Sequence, residues 1–306
     1  MKFSDALEGF WLGKRRGYSV HTVADYANTF HRFRLFIRDA DMDGLTSDDV
    51  RRFLDSMHNR YELGGKTLSN YWTALSAFWT WAERELKVAH LIRGRVDQPT
   101  YRRPQIVPYR QEDVAAMIKA CARAATWRTS TGKSSRGKRP TADRDRAIIV
   151  LLVDTGLRAS ELCALKIKDY DPDRGGVNAV GKYGKERTVY AGDGAKKALW
   201  RYLMTRKGMK GDEPLFATDS GRHLDRNNLR QTLQRIGKRA GVSGVNVHKF
   251  RHTFAITFLR NGGNLLALQE LLGHEKLETV RIYAKLASVD LEKAQRAASP
   301  ADGWGL

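Results

Sequence analysis

Only two cysteines occur in the 306 residues, Cys121 and Cys163, far apart and each within an apolar helical pattern. They do not make a disulfide framework. They read as small buried hydrophobes of a reducing compartment, and neither is a candidate nucleophile. Proline is also scarce, with seven residues, and this with ordinary hydrophobic content argues against disorder over most of the length. Long apolar runs are missing: none reaches the roughly 18 residues of a membrane span. The opening MKFSDALEGFWLGKRRG lacks the apolar segment of a signal peptide. The expected place is therefore the cytoplasm, with no membrane partner. Acidic residues are in deficit, 34 against 54 Lys and Arg, for a formal net charge of +20. That balance points to a polyanion, and first to nucleic acid.

Metal and nucleotide signatures are absent as well. TGKS at Thr131 to Ser134 would be a phosphate loop only with glycine at position 127, which holds Trp127. His274-Glu275 begins a string like that of the zinc proteases, but Glu278 stands where the second histidine is needed. No metal and no cofactor is expected.

A chain of this length has room for two domains. Residues 4 to about 88 read as four helices. Ser4 and Ser19 are candidate caps of the first two, Thr46 with Asp49 opens the third, and Thr67 opens a fourth through Tyr71, Leu75, Phe78 and Trp79. On that fourth helix Lys66, Asn70 and Thr73 lie opposite the aromatics, on a face that suits a DNA groove and equally a solvated surface. Periodicity fails between Arg93 and Val107, where arginines and prolines gather, so the expected layout is a helical domain 1–92, a linker 93–107 and a second domain 108–306.

The second domain starts with a helix from Arg110 to about Ala122. A basic tract follows, from about Trp127 to Asp143, and reads as a mobile loop. A helix from Arg144 breaks at Thr155-Gly156 before a short helix, Leu157 to Leu165, carrying Arg158 and Glu161 three apart, the spacing of an ordinary surface ion pair. Three short strands are expected in KIKDYD, VNAV and ERTVY, and a further one in PLF. GKYGK has the glycine spacing of a hairpin turn, with Lys182 and Lys185 at its tip. The fold class is thus mainly α with a small antiparallel sheet in the C-terminal domain.

The stretch Val247 to Leu286 concentrates the chemistry. His248 and Arg251 share one helix face while Phe250, Phe254 and Phe258 serve the other. A second apolar run ends at Gly273, suited to a helix C-terminus; His274 follows, and Tyr283 comes nine residues later. These side chains suit a phosphodiester. In-line attack builds negative charge on its equatorial oxygens, which planar, permanently charged guanidinium groups can hold without a metal. A tyrosine with a pKa near 10 needs a base and nearby cations to act as nucleophile at neutral pH.

TGLRASEL (Thr155 to Leu162), GKYGKER (Gly181 to Arg187), HKFRHTFA (His248 to Ala255), LLGH (Leu271 to His274) and Tyr283 together resemble, in order and spacing, the boxes of the tyrosine recombinases, or phage integrases. The N-terminal helices resemble that family's core-binding domain, so the resemblance covers nearly the whole chain. It implies that Arg158 and Arg251 clamp the scissile phosphate, that Tyr283 is the nucleophile and that Lys182 protonates the leaving 5′ oxygen. His248 would handle the tyrosine proton, His274 would support the phosphate and Glu161 would orient the group. Arg187 joins Lys66, Asn70 and Thr73 as a candidate DNA contact.

The activity so implied is site-specific recombination through a 3′-phosphotyrosyl intermediate and a Holliday junction. The partners would be double-stranded recombination sites, with a homotetramer on paired sites and a monomer or dimer when free, nucleoid-associated when bound to DNA. The tail after Tyr283 would dock on a neighbouring protomer or fray. A catalytically silent DNA-binding protein of the same fold and a type IB topoisomerase-like enzyme are the alternatives; the filled catalytic positions argue against the first. The resemblance implies a layout without a separate arm-binding domain, closer to the compact Xer-like and Cre-like enzymes. The basic tract is longer than the family's loop, and reads either as added DNA affinity or as a disordered insertion.

Overall fold

The structure, a computed structural model, describes residues 1–102, 105–122, 127–128, 134–135, 139–181, 184–206, 208–218, 220–274, 277–287, 295–296 and 299–305. The chain divides into two compact units, Met1–Pro104 and Gln105–Leu306. Among the described residues no helix is long and apolar enough to cross a membrane.

The first unit is built on α1 (Phe3–Lys14), α2 (Val20–Phe36), α3 (Ser47–Asn59) and α4 (Gly65–Glu85). Ser19 caps α2 by accepting the Thr22 amide at 3.1 Å, and the Thr46 amide donates to Asp49 at 2.9 Å where α3 begins. Two starts differ from the sequence reading. Ser4 lies inside α1, its hydroxyl donating to Asp39 at 2.9 Å, and α4 begins at Gly65, before Thr67. The other three helices pack on α4, whose Leu75, Phe78, Trp79 and Ala82 are buried. Aromatic rings fill the space between them, as in the pairs Phe3 and Phe78, 4.9 Å apart, and Phe33 and Phe53, 5.1 Å apart. Such large rings give a small helical unit much apolar area per residue.

Much of the stretch expected to be a linker packs onto this unit. Val96 is buried, its carbonyl accepts the Trp72 indole N–H at 2.9 Å, and Gln98 donates to the Ser69 hydroxyl at 3.0 Å. Proline and arginine content does not exclude packing when an apolar residue such as Val96 finds the core. Lys66, Asn70 and Thr73 are all exposed on α4; the Lys66 ammonium stands 5.0 Å from the Tyr101 ring centroid, and Asn70 and Thr73 border a groove shared with Thr22 and Asp25 of α2.

The second unit contains α5 (Gln111–Cys121), β1 (Trp127–Arg128), β2 (Ser134–Ser135), α6 (Ala142–Thr155), α7 (Ala159–Ala164), β3 (Gly176–Val180) and β4 (Glu186–Tyr190). It continues through α8 (Asp193–Leu203), α9 (Arg226–Ala240), α10 (Val247–Arg260), α11 (Leu265–Leu272) and α12 (Leu277–Ala287). Its central helix is α6, with Ile148, Ile149, Leu151 and Leu152 fully buried against α5, α8 and α10. One face of α10 joins that core through Phe250; the other, through Ala255, Ile256 and Leu259, packs with α11 and α12. Cys121 is buried and Cys163 half-buried, and burial pushes both thiols up to about 12, which keeps them protonated.

β3 and β4 form an antiparallel hairpin in register from Gly176 opposite Tyr190 to Val180 opposite Glu186. Within the basic tract, β1 pairs antiparallel with β2, Trp127 opposite Ser135, so that part is not the unstructured loop the composition suggests; most of the tract lies outside the described residues. KIKDYD is not a strand but a 3-10 turn, Ile167–Asp169, because Asp169 turns back to accept the Lys166 amide at 2.8 Å. Of PLF, only Pro214 makes a β-bridge, an isolated one to Lys166.

Candidate active site

The site grows from the C-terminus of a helix. At the end of α11, Gly273 takes the left-handed conformation (φ +62°), which stops the helix and leaves its last carbonyls without intrahelical partners. Three different arginines take them up. Arg187 Nε donates to the Leu271 carbonyl at 2.8 Å, Arg251 Nη2 to that of Leu272 at 2.5 Å, and Arg158 Nη2 to that of Gly273 at 3.1 Å. A helix C-terminus carries partial negative charge, so it is a natural seat for cations.

Each arginine arrives on its own element. α6 ends at Gly156, also left-handed (φ +62°), where a Cβ would stand 2.5 Å from a Phe254 ring carbon. The close approach of α10 therefore requires glycine. The Gly156 carbonyl accepts from Arg251 Nη1 at 2.8 Å, so the break in α6 also anchors that guanidinium, which is only 3% exposed. Two residues later Arg158 caps α7. Its amide donates to Glu161 Oε2 at 2.7 Å and its Nη1 to Oε1 at 2.7 Å. Arg187, on β4, places Nη1 and Nη2 on the same two oxygens, each at 2.7 Å. Burial pushes the Glu161 carboxyl up, but the hydrogen bonds and charges of Arg187 and Arg158 outweigh it and hold the group down to about 2. Burial, with the Arg158 charge beside it, lowers Arg251 to about 10, which leaves it a cation at neutral pH.

His274 follows Gly273 directly. Its Nε2 lies 3.0 Å from Arg251 Nη2, and burial together with the Arg251 and Arg158 charges lowers it to about 4. The neutral ring therefore accepts from Arg251 through Nε2 and carries its hydrogen on Nδ1. Tyr283, on α12, is 5% exposed, and burial raises its hydroxyl above 10 against the opposing pull of Arg251 and Arg158.

The structure thus brings Arg158, Glu161, Arg251 and His274 into one cluster with Tyr283 next to it. His248 is not on the tyrosine. It is exposed on the first turn of α10, in a surface pocket with Ala159, Asp225 and Arg230. The residue at the tyrosine hydroxyl is His252, whose Nδ1 lies 2.9 Å away. Sequence reasoning missed it, although one helical turn separates it from His248 and both lie on one face. Arg187 is likewise not a surface DNA contact: its side chain is 12% exposed and turned onto Glu161. Lys182, expected at the tip of a hairpin turn, lies outside the described residues.

Two family models match the chain, phage integrase over residues 110–289 and the phage integrase N-terminal SAM-like domain over residues 8–86. The tyrosine recombinase XerC of Oceanobacillus iheyensis is 30% identical over 95% of this chain and 93% of its own, and that of Mycobacterium sp. (strain JLS) is 31% identical over 97% and 98%. Among solved structures, the Tn1549 transposon integrase in complex with transposon right end DNA superposes with a TM-score of 0.72 at 18% identity, covering 97% of this chain and 98% of that one. XerH site-specific recombinase bound to palindromic difH substrate gives 0.68 at 22%, covering 94% and 82%. These likenesses and the arginine cluster agree: the chain belongs to the phage integrase family and is a Xer-like tyrosine recombinase.

Proposed function

We propose that this recombinase breaks and rejoins double-stranded DNA at specific sites, with Arg158 and Arg251 as the clamp on the scissile phosphate and Tyr283 as its nucleophile. The observation that carries the proposal is the seating of both guanidinium groups on successive carbonyls at the end of α11, those of Leu272 and its cap Gly273, with His274 beside them and Tyr283 on the next helix. Charge developing on the non-bridging oxygens meets cations already oriented by backbone and Glu161, so little reorganisation is needed at the moment of reaction.

Tyr283 Oη attacks phosphorus, the bond from phosphorus to the 5′ oxygen breaks, and a 3′-phosphotyrosine ester forms. The leaving oxygen takes a proton from Lys182. The tyrosine proton goes to His248 once the hydroxyl has moved from His252 to the phosphate, and neutral His274 donates to a phosphate oxygen from its Nδ1–H. The ester conserves the energy of the broken bond, so a 5′ hydroxyl of the partner duplex reseals the strand without a nucleotide cofactor. Two such exchanges pass through a Holliday junction and call for a tetramer on paired sites, within which the tail after Tyr283 docks on a neighbour. The exposed face of α4 with Lys66, Asn70 and Thr73 would contact DNA, and the net charge of +20 supplies non-specific attraction to it, in the cytoplasm.

The test begins with the duplex that the protein itself enriches from a random-sequence pool. A nicked version, from which the cleaved end escapes, should trap a covalent protein–DNA adduct, lost in Tyr283→Phe while binding to the intact duplex persists. An adduct that survives Tyr283→Phe, or its absence with the wild-type protein, overturns the assignment.

A further inference from the structure

Arg187 makes three side-chain hydrogen bonds within the site, two of them to Glu161. From β4 it reaches Leu271 at the end of α11 and both oxygens of Glu161 at the start of α7. A Cβ at Gly273 would stand 3.3 Å from Arg187 Cδ and Nη1, so the guanidinium runs closely beneath that backbone.

The acceptor arithmetic of Glu161 is complete. A carboxylate offers about four lone-pair positions. Oε1 receives Nη1 of Arg158 and Nη1 of Arg187; Oε2 receives the Arg158 amide and Nη2 of Arg187. Arg158 therefore meets the carboxylate through a single side-chain nitrogen, and its Nη2 is turned instead to the Gly273 carbonyl, toward His274. Arginine and carboxylate otherwise prefer a parallel two-bond fork. With Arg187 gone, two acceptor positions open and Arg158 can close that fork, carrying Nη2 away from the phosphate.

We propose that Arg187 is a positioning residue for strand cleavage: by occupying both oxygens of Glu161 it confines Arg158 to one bond with that carboxylate and keeps its second nitrogen directed at the scissile phosphate. This rests on the reading of Arg158 as a phosphate clamp. Charge alone does not suffice for the role. A lysine restores the cation as a compact point, without the planar fork that spans two oxygens and a third acceptor at once.

The test compares wild type, Arg187→Lys, Arg158→Lys and the double variant on the nicked self-selected duplex. It reads the single-turnover rate of adduct formation, the affinity for the intact duplex and the melting temperature. Arg187→Lys is expected to bind as wild type does and to form adduct on the order of 10²-fold more slowly, the effect of a misplaced group of about 1 Å. The double variant should be no slower than Arg158→Lys, because both act through one contact. A wild-type rate in Arg187→Lys, or losses that multiply in the double variant, overturns the proposal. If Arg187→Lys does not fold, Gly273→Ala presses on the same guanidinium without changing its charge and should slow cleavage at unchanged affinity; a wild-type rate there also overturns it. A wild-type protein that forms no Tyr283-dependent adduct brings down the clamp reading first, and this proposal with it.

Discussion

The hydroxyl of Tyr283 lies 2.9 Å from Nδ1 of His252, the residue immediately after Arg251 on α10. Successive residues of a helix point about 100° apart, so one turn of α10 serves two partners: Arg251 faces the end of α11 and His252 faces α12. The proposed nucleophile is held where it is buried, next to the cations that would meet the phosphate but bonded to a different group. Because burial also lowers His252, its neutral ring can accept a hydrogen bond from the tyrosine hydroxyl through Nδ1.

That contact should be measurable as a coupling energy. His252→Ala leaves a buried hydroxyl without its partner and is expected to cost about 1–3 kcal/mol, and Tyr283→Phe about 1 kcal/mol. The double variant should cost less than the sum by at least about 0.5 kcal/mol. Denaturant unfolding followed for all four proteins gives the cycle; simple additivity would mean that the bond does not hold in solution.

A second prediction concerns charge. Arg158, Arg187 and Arg251 surround Glu161, the carboxylate that two of them share, so the cluster carries excess positive charge and should take up an anion. Inorganic phosphate at constant ionic strength is expected to raise the melting temperature, by the equivalent of about 2.7 kcal/mol at a hundredfold excess over Kd. Arg251→Gln should abolish the response. An equal rise in both proteins would assign the effect to general salt exclusion.

Parts of this site were legible in the sequence because they depend on side-chain spacing. Arg158 and Glu161, three apart, form the ion pair that such spacing allows, at 2.7 Å. The turn at Gly273 follows from an apolar run that stops at a glycine. What joins the arginines was not legible, since they meet on backbone carbonyls, which carry no sequence signal. Arg187 could have been placed. Alternation along ERTVY puts it on the same face as buried Val189, yet a charged residue in a basic protein reads first as a surface contact. His248 and His252 share a helix face, so periodicity could not choose between them. The stretch from Arg93 read as a linker because composition says little about whether a single apolar residue, here Val96, finds a core.

Gly156→Ala should be among the more damaging single changes in the second unit. The added methyl would meet the Phe254 ring at 2.5 Å in a left-handed backbone, so either α10 moves or the turn rearranges. Strain and overpacking together suggest a loss of about 2–4 kcal/mol. Because the same residue's carbonyl holds Arg251, adduct formation should fall as well, even below the melting temperature. Wild-type stability would show that α10 stands farther away than this packing requires.

Acid should destabilise the second unit in two steps of known sign. His274 is lowered from 6.5 to about 4 and Glu161 from 4.5 to about 2, so in each case the unfolded chain binds a proton that the folded chain refuses. Their contributions are therefore complete above pH 6.5 and are lost as pH falls, His274's between about 6.5 and 4 and Glu161's between about 4.5 and 2. The first step is worth on the order of 2 kcal/mol after allowance for the partly solvated ring. Urea unfolding from pH 7 to pH 4 should show that fall in the wild type and a shallower one in His274→Gln. Part of the slope should persist there, because burial lowers His252 in the same direction. An undiminished slope in His274→Gln would mean that His274 titrates normally and does not sit against Arg251 as a neutral ring.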